Sequence, residues 1–378
     1  QQAVKRDPSF ALAYYQLAHA NDQLYVRAID HTAERLKLAE VAVESLRRLQ
    51  PDSGEAHLAL AKHLYWGYLD YDKARNELAA AQRVLPNDPV VFLLMGYIDR
   101  RQGRWDESIK NMQQALSLDP RGPQTPFMLE QISRTYELLR RYADEAAALD
   151  RALSLVPKNP SLRVRRANVN LASRGDIQSF KDVLRSLAAD KSGPPEMFAD
   201  QWLELAKYER NWNDAARAVA MMGDDGCREE AFPFPRGWCE GVVARARGDS
   251  ESARAAFTAG RVEVEKIIQD QHDNAPALCV LAVIDAALGN KREANREAKR
   301  AAELLPLTKD SVDGARVIKY LALTYALNGK KDAALTELAT AAKVPGYLSY
   351  GELRLDPLWD PLRGDPRFDK IVASLAPK

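Results

Sequence analysis

Proline closes helix-like segments of this chain at Pro51, Pro86, Pro120 and Pro157, at steps of 35, 34 and 37 residues. A beat near 34 residues is the mark of a stacked helical repeat. A single helical pair cannot bury its apolar face alone, so each pair needs neighbours on both sides. Pro8 precedes Pro51 by 43 residues, and the first full repeat therefore carries an insertion near Tyr25–Thr32.

The cleanest repeat starts at Pro89. Counting that residue as position 1, Phe92 falls at 4, Met95 at 7, Gly96 at 8, Gly103 at 15, Trp105 at 17, Ala115 at 27 and Pro120 at 32. Each choice has a physical reason. A side chain at position 8 would overpack two close helices at a cost of about 1–3 kcal/mol. Gly103 ends the first helix where a left-handed residue is needed, Ala115 leaves room for the next repeat, and Pro120 cannot continue a helix. The pattern is that of the tetratricopeptide (TPR) repeat, with two departures: Asp99 stands where Tyr is usual and Ser108 where Ala is usual. Related grammar recurs in Ala56–Pro86, in Phe127–Pro157 and, degenerately, in Pro160–Asp190.

Prolines then lose the beat, but apolar segments of helical period continue, split by turns. The pairs are Met197–Glu209 with Trp212–Met222, Gly237–Arg247 with Ser250–Gln271, Ala275–Leu288 with Lys291–Leu305, and Asp310–Leu327 with Lys331–Lys343. Strand-type alternation is essentially absent. The expected fold is all-α, a right-handed α-α superhelix (TPR solenoid) of about nine hairpins with a C-terminal cap. Its divisions are an N-terminal array over 1–190, degenerate hairpins over 191–343 and a capping tail over 344–378. Ala3–Pro8 matches positions 27 to 32 of a repeat, which reads as the second half of a truncated hairpin in a piece of a longer polypeptide.

The tail reads Asp356-Pro357-Leu358-Trp359-Asp360-Pro361-Leu362-Arg363-Gly364-Asp365-Pro366-Arg367-Phe368. Its prolines and glycines forbid a long helix, and a short one is expected over Pro366–Leu375. Leu358, Trp359, Leu362 and Phe368 are expected to fold over the last hairpin. Together with Arg245-Ala246-Arg247-Gly248-Asp249, Ala255-Ala256-Phe257, Lys309-Asp310 and Asp313-Gly314, this tail resembles the C-terminal TPR region of bacterial signalling proteins. In that group a Ser/Thr kinase, nucleotide cyclase or winged-helix domain precedes the repeats. The resemblance implies a regulatory or scaffolding module and transfers none of those domains' activities.

Chemistry-bearing motifs are missing. Gly329-Lys330-Lys331 lacks the upstream glycine and the Ser/Thr of a P-loop, and neither a nucleophile elbow nor a His-Glu-x-x-His pair occurs. His19, His31, His57, His63 and His272 are dispersed and read as surface or groove residues. Asp224-Asp225-Gly226 reads as a turn, because the further oxygens of a calcium loop are absent. Cys227, Cys239 and Cys279 are too few for a zinc site or a disulfide framework. They read as a loop thiol and two partly buried thiols, with a Cys227–Cys239 bond open in an oxidising compartment. The expectation is no enzyme, no cofactor and no metal. Net charge is +1, so no global field favours nucleic acid or an anionic membrane. The Arg-rich clusters Arg47-Arg48, Arg100-Arg101, Arg140-Arg141 and Arg163 with Arg165-Arg166 read as solvated faces. The longest apolar run, Ala277 to Ile284, is far too short to span a bilayer.

TPR arrays place ligand contacts at first-helix positions 2, 5, 9, 12 and 13. Carried onto this sequence, those positions are Lys62, Tyr65 and Trp66; Leu93, Tyr97, Arg100 and Arg101; Phe127, Glu130, Arg134 and Glu137; and Val164, Asn168 and Leu171. Aromatics flanked by arginine suit an extended peptide bearing apolar and acidic groups; the plainer alternative is that Tyr65, Trp66 and Tyr97 pack between hairpins. The chaperone-type carboxylate clamp is not matched at any repeat, so no chaperone tail peptide is expected to bind. The expected partner is a protein or peptide, with a rigid spacer or a self-association (homo-oligomer) surface as the alternative. The compartment is expected to be the cytoplasm, or the periplasm if a membrane span lies upstream.

Overall fold

The computed structural model describes residues 2–26, 30–190, 195–223, 226–229 and 232–377. Its helices are α1 (Gln2–Arg6), α2 (Ala11–Val26), α3 (Ala33–Leu49), α4 (Gly54–Tyr68), α5 (Tyr71–Val84), α6 (Pro89–Arg101), α7 (Trp105–Leu118), α8 (Thr125–Leu138), α9 (Tyr142–Leu155), α10 (Pro160–Arg174) and α11 (Ile177–Ala189). They continue as α12 (Ala199–Tyr208), α13 (Trp212–Met221), α14 (Arg236–Ala246), α15 (Ser250–Asp270), α16 (Ala275–Leu288), α17 (Lys291–Leu304), α18 (Asp313–Leu327), α19 (Lys331–Lys343), α20 (Tyr350–Leu355) and α21 (Pro366–Ser374), with 3₁₀ turns at Pro195–Phe198 and Pro357–Leu362. From α2 to α19 the helices fall into nine consecutive pairs among the described residues. The chain is an all-α helical-repeat protein, as its 34-residue beat predicts.

One local device makes the hairpins alike. Each turn from α4/α5 to α18/α19 contains one left-handed residue: Leu69, Gly103, Arg140, Gly175, Arg210, Gly248, Gly289 and Gly329. In six of them the residue after it sends its N–H to the carbonyl five positions back. Those bonds are Arg104 to Asp99, Arg141 to Tyr136, Asn211 to Ala206, Asp249 to Ala244, Asn290 to Asp285 and Lys330 to Tyr325, at 2.8–3.0 Å. This closure satisfies carbonyls that the helix end leaves open and fixes the angle at which the second helix folds back.

The chain divides into two compact units, Gln1–Thr135 and Tyr136–Lys378. The sequence division at residue 190 rests on a different criterion, repeat regularity. In the first unit α2 packs on α3, α4 on α5 and α6 on α7. Leu58, Tyr71, Leu78, Val91, Leu94 and Ile98 form one core, and Ala18, Ala42, Val43 and Leu46 belong to a second. Gly96 is needed for the α6/α7 approach, since a Cβ there would stand 2.6 Å from Met112 Cγ. The two departures from the repeat pattern are both compensated. Ser108 donates its hydroxyl to the Gly96 carbonyl at 2.7 Å. Asp99, fully buried, takes Arg75, Arg104 Nε at 2.9 Å and Asn111 Nδ2 at 2.7 Å.

In the second unit a large core joins α12 to α19, with Trp238, Phe257, Val283, Ile284, Tyr320 and Leu338 among its buried members. A two-stranded antiparallel ribbon, β1 (Cys227–Glu229) with β2 (Phe232–Phe234), interrupts the helices. Three-residue strands are too short to show a period, which is why the sequence did not announce them. Phe232 and Phe234 enter the core beside Tyr320, with ring centroids 5.2 and 5.8 Å away. Cys227 is disulfide-bonded to Cys239 on α14, with their Cα atoms 6.4 Å apart. The reading of three separate thiols therefore gives way to one disulfide and one free buried thiol, Cys279. Asp224 and Asp225, assigned to a turn from sequence, lie outside the described residues, as does part of the Tyr25–Thr32 insertion.

Candidate functional site

The sequence-predicted binding residues of the first unit lie on consecutive first helices, and they do not share one environment. On α4, Lys62 and Tyr65 are turned inward, only 5% and 7% exposed. Lys62 donates to the Tyr15 hydroxyl at 2.7 Å and sits 4.7 Å from its ring centroid. Burial pulls its pKa down to about 8. Tyr65 packs against Trp66 and Tyr71, at ring distances of 6.2 and 5.9 Å, in the inter-hairpin core. Trp66 is half-buried, 5.6 Å from the His19 ring. Leu93, at the same repeat position as Leu58, is also core.

The α6 and α8 residues form the more open cluster. The Arg100 guanidinium lies 5.4 Å from the Tyr97 ring centroid and donates to the Gln131 carbonyl at 3.3 Å and the Thr135 hydroxyl at 3.4 Å. Arg134 pairs with Glu130 at 2.9 Å, one helical turn apart. Arg101 is half-buried, whereas Phe127 is 44% exposed and stands out on the start of α8. The Tyr97 hydroxyl is buried and makes no hydrogen bond. Burial, opposed by the nearby Arg100 and Arg134 charges, raises its pKa. A buried polar group without a partner costs about 1–3 kcal/mol, and a ligand group recovers that free energy only where the side chains covering the hydroxyl move aside to admit it.

The remaining predicted residues belong to the second unit. Glu137 pairs with Arg165 at 3.0 Å, and Asn168 is half-buried on α10 between the core residues Val164 and Leu171. One histidine expected at a surface or groove is instead internal. His63, 3% exposed, places Nδ1 2.8 Å from Oδ1 of the buried Asp22. A core pair between two helices leaves no trace in the apolar period.

Sequence reasoning missed a second cluster, in the second unit. The tail does more than cap the last hairpin. Segment α20 packs on α10, the Pro357–Leu362 turn packs on α18 and α19, and α21 packs on α19. Lys319 of α18 holds Glu352 at 2.9 Å, and Lys207 of α12 lies 3.3 Å from Asp356. Arg210, in the α12/α13 turn, holds Asp360 through two bonds of 2.7 and 2.8 Å. Two sequence signals were available: three acids at steps of four, Glu352, Asp356 and Asp360, and arginine at two turns where glycine recurs. A cleft of about 470 Å³ also lies over α13, α14 and α15, where Arg236 already pairs with Glu240 at 2.8 Å. Among the described residues, no group of three or more His, Cys, Asp and Glu is placed to hold a metal ion. None of their helices is long and apolar enough to cross a membrane.

The helix pairs, their common turn and the 34-residue spacing define a TPR-like helical-repeat protein. No family model matches the chain, and no curated protein matches it. Among solved structures, Pseudomonas aeruginosa PilF aligns with a TM-score of 0.37 and 16% identity, covering 68% of this chain and 91% of its own. PilW, a type IV pilus biogenesis factor, aligns at 0.39 and 15%, covering 70% and 94%. Human IFIT1, as a dimer with PPP-AAAA, aligns at 0.47 and 16%, covering 80% of this chain and 66% of its own.

Proposed function

We propose that the chain is a non-catalytic protein-interaction and regulatory scaffold, part of a larger bacterial signalling protein. Its first unit binds a peptide or partner segment across α6 and α8. The observation that carries this reading is the buried, unbonded Tyr97 hydroxyl, set beside the Arg100 guanidinium and near the Arg134 charge. A hydrogen-bonding group flanked by cations, with Phe127 exposed at the start of α8, suits a segment that offers an acid and an apolar side chain. Lys62 and Tyr65 contribute by holding α2, α4 and α5 together rather than by touching the ligand. The Cys227–Cys239 disulfide supports an oxidising compartment, and hence the periplasmic alternative over the cytoplasmic one.

An array of 15-residue peptides carrying acidic and aromatic residues, probed with the full chain, tests the reading. Binders are expected, and their affinity should drop at least tenfold with Arg100→Ala/Arg134→Ala. Absence of any binder, or binders indifferent to the double substitution, would overturn it. If the same substitutions instead altered oligomeric state, the self-association alternative would be the better account.

A further inference from the structure

The tail of the second unit is held in a manner that a simple cap does not require. Trp359 and Leu362 are buried, as caps demand. Yet the segment also carries Glu352, Asp356 and Asp360, each separated by four residues, and each meets a cation from a different place in the array. The Lys207–Asp356 pair is almost wholly removed from water. Buried ion pairs contribute little net stability compared with apolar contacts of the same volume, and their better-attested effect is to select one partner and one register.

Three further observations point the same way. Gly351 lies so close to α10 that a Cβ would fall on the Leu171 carbonyl oxygen, so the backbone itself is read by the helix. Arg140 and Arg210 stand in left-handed turns, at φ 54° and 56°, where five other hairpins use glycine and one uses Leu69. Arg210 reaches the segment itself, and Arg140 holds the end of α19 and the linker just ahead of it. Arg140 donates to the Leu348, Val344 and Ala341 carbonyls at 2.8, 3.0 and 3.2 Å, and Arg210 to Asp360. Pro357 and Pro361 stiffen the segment, which lowers the entropy lost when it seats.

We infer that the face built by α10, α12 and α18 is a second peptide-binding seat, now occupied by the chain's own segment 349–363. The segment it takes in trans carries an acid at every fourth residue around one tryptophan. The tail is tethered to α19 by a few residues, which gives it an effective concentration on the order of millimolar. A competing segment must overcome that advantage, so the seat opens to partners only when the tail is loosened. This inference is independent of the α6/α8 site, and mutations there leave it untouched.

The test uses the full chain and a fluorescent synthetic peptide of residues 348–364, followed by anisotropy. The Gly351→Val variant places a branched side chain against Leu171 and should loosen the tail without altering α12 or α18. The peptide is expected to bind this variant at least tenfold more tightly than the unmodified chain. Adding Lys207→Ala/Lys319→Ala to that variant should lose the gain. Equal binding to variant and parent, or a gain that survives loss of both lysines, would overturn the inference. Should Gly351→Val fail to fold, hydrogen exchange of the unmodified chain decides. Amides of 350–362 are expected to open at least a hundredfold more often than those in the middle of α12 and α18. Opening at one common rate would show that the tail is fused to the core and is no ligand.

Discussion

Arg210 and Asp360, 150 residues apart, meet through two hydrogen bonds of 2.7 and 2.8 Å. Arg140 makes the corresponding reach from another hairpin, to the Ala341, Val344 and Leu348 carbonyls. Both arginines hold left-handed backbone that costs a non-glycine residue about 1–2 kcal/mol. The same turn position therefore serves two ends in this array. With glycine it only closes a hairpin; with arginine it also grips a distant segment.

The two arginines should respond differently to replacement by glycine. Arg210 and Asp360 are both some two-fifths exposed, so their pair is worth about 0–1 kcal/mol, comparable with the strain that glycine relieves. Arg210→Gly should leave the melting temperature within a degree or two. Arg140 sends three bonds to main-chain carbonyls from a part-buried position, and such charge-assisted bonds contribute about 1.5–3 kcal/mol each. Arg140→Gly should lower the melting temperature by several degrees. Equal responses in thermal melts would contradict this division.

Asp99 gives an asymmetric pair of substitutions. Removing the acid, as in Asp99→Ala, releases Arg75 and Arg104, whose side chains are more than a third exposed and can return to water. Removing both arginines leaves a fully buried carboxylate with Asn111 as its remaining described partner, an error that costs about 3–5 kcal/mol. Urea unfolding should rank Arg75→Ala/Arg104→Ala below Asp99→Ala in stability. The reverse order would show that the folded protein does not depend on the two arginines to hold the buried acid.

The legibility of this molecule follows from where its information sits. Hairpin positions were readable because Gly96, Gly103, Ala115 and Pro120 act locally, through helix approach, turn and stop. The closing segment was readable as broken helix from its prolines. Its seat was not, because Lys207, Lys319, Arg210 and Arg140 lie far from it in sequence, and a cation on a helix face looks the same whether it meets water or a distant acid. Lys62 and Tyr65 show the opposite difficulty. Repeat register put them on the ligand face, but the neighbouring hairpin had already covered them. The Cys227–Cys239 bond depends on a ribbon too short to carry a period.

Titration should act on the second unit through Glu204. Burial, with Asp356 and Glu352 nearby, pushes its carboxyl up to about 7, while Lys207 and the Tyr208 hydroxyl oppose the shift. A carboxyl raised in the folded state binds its proton more tightly there than in the unfolded chain. Its contribution is full below the ordinary value of 4.5 and is lost as pH rises through 7. Melting temperature should therefore fall between pH 5.5 and 8.5, and Glu204→Gln should reduce that fall. Glu297 and Glu145, raised to about 8 and 9, keep part of the slope in the variant. A slope unchanged by Glu204→Gln would mean that the carboxyl ionises normally.

The disulfide is the last testable tie. It closes a separation of 12 residues around the ribbon, and a loop of that size is worth about 3 kcal/mol in the unfolded chain. Cys227 and Cys239 are 2% and 1% exposed, so a reductant reaches the bond only when the ribbon opens. The native protein should resist dithiothreitol over minutes and lose the bond quickly in partial denaturant. Cys227→Ser/Cys239→Ser should lower the melting temperature of the second unit even in oxidising buffer. The ribbon's own grip on the core, through Phe232 and Phe234 against Tyr320, should keep the variant folded. Rapid reduction of the native chain, or a variant as stable as the parent, would show that the aromatic packing alone secures the ribbon.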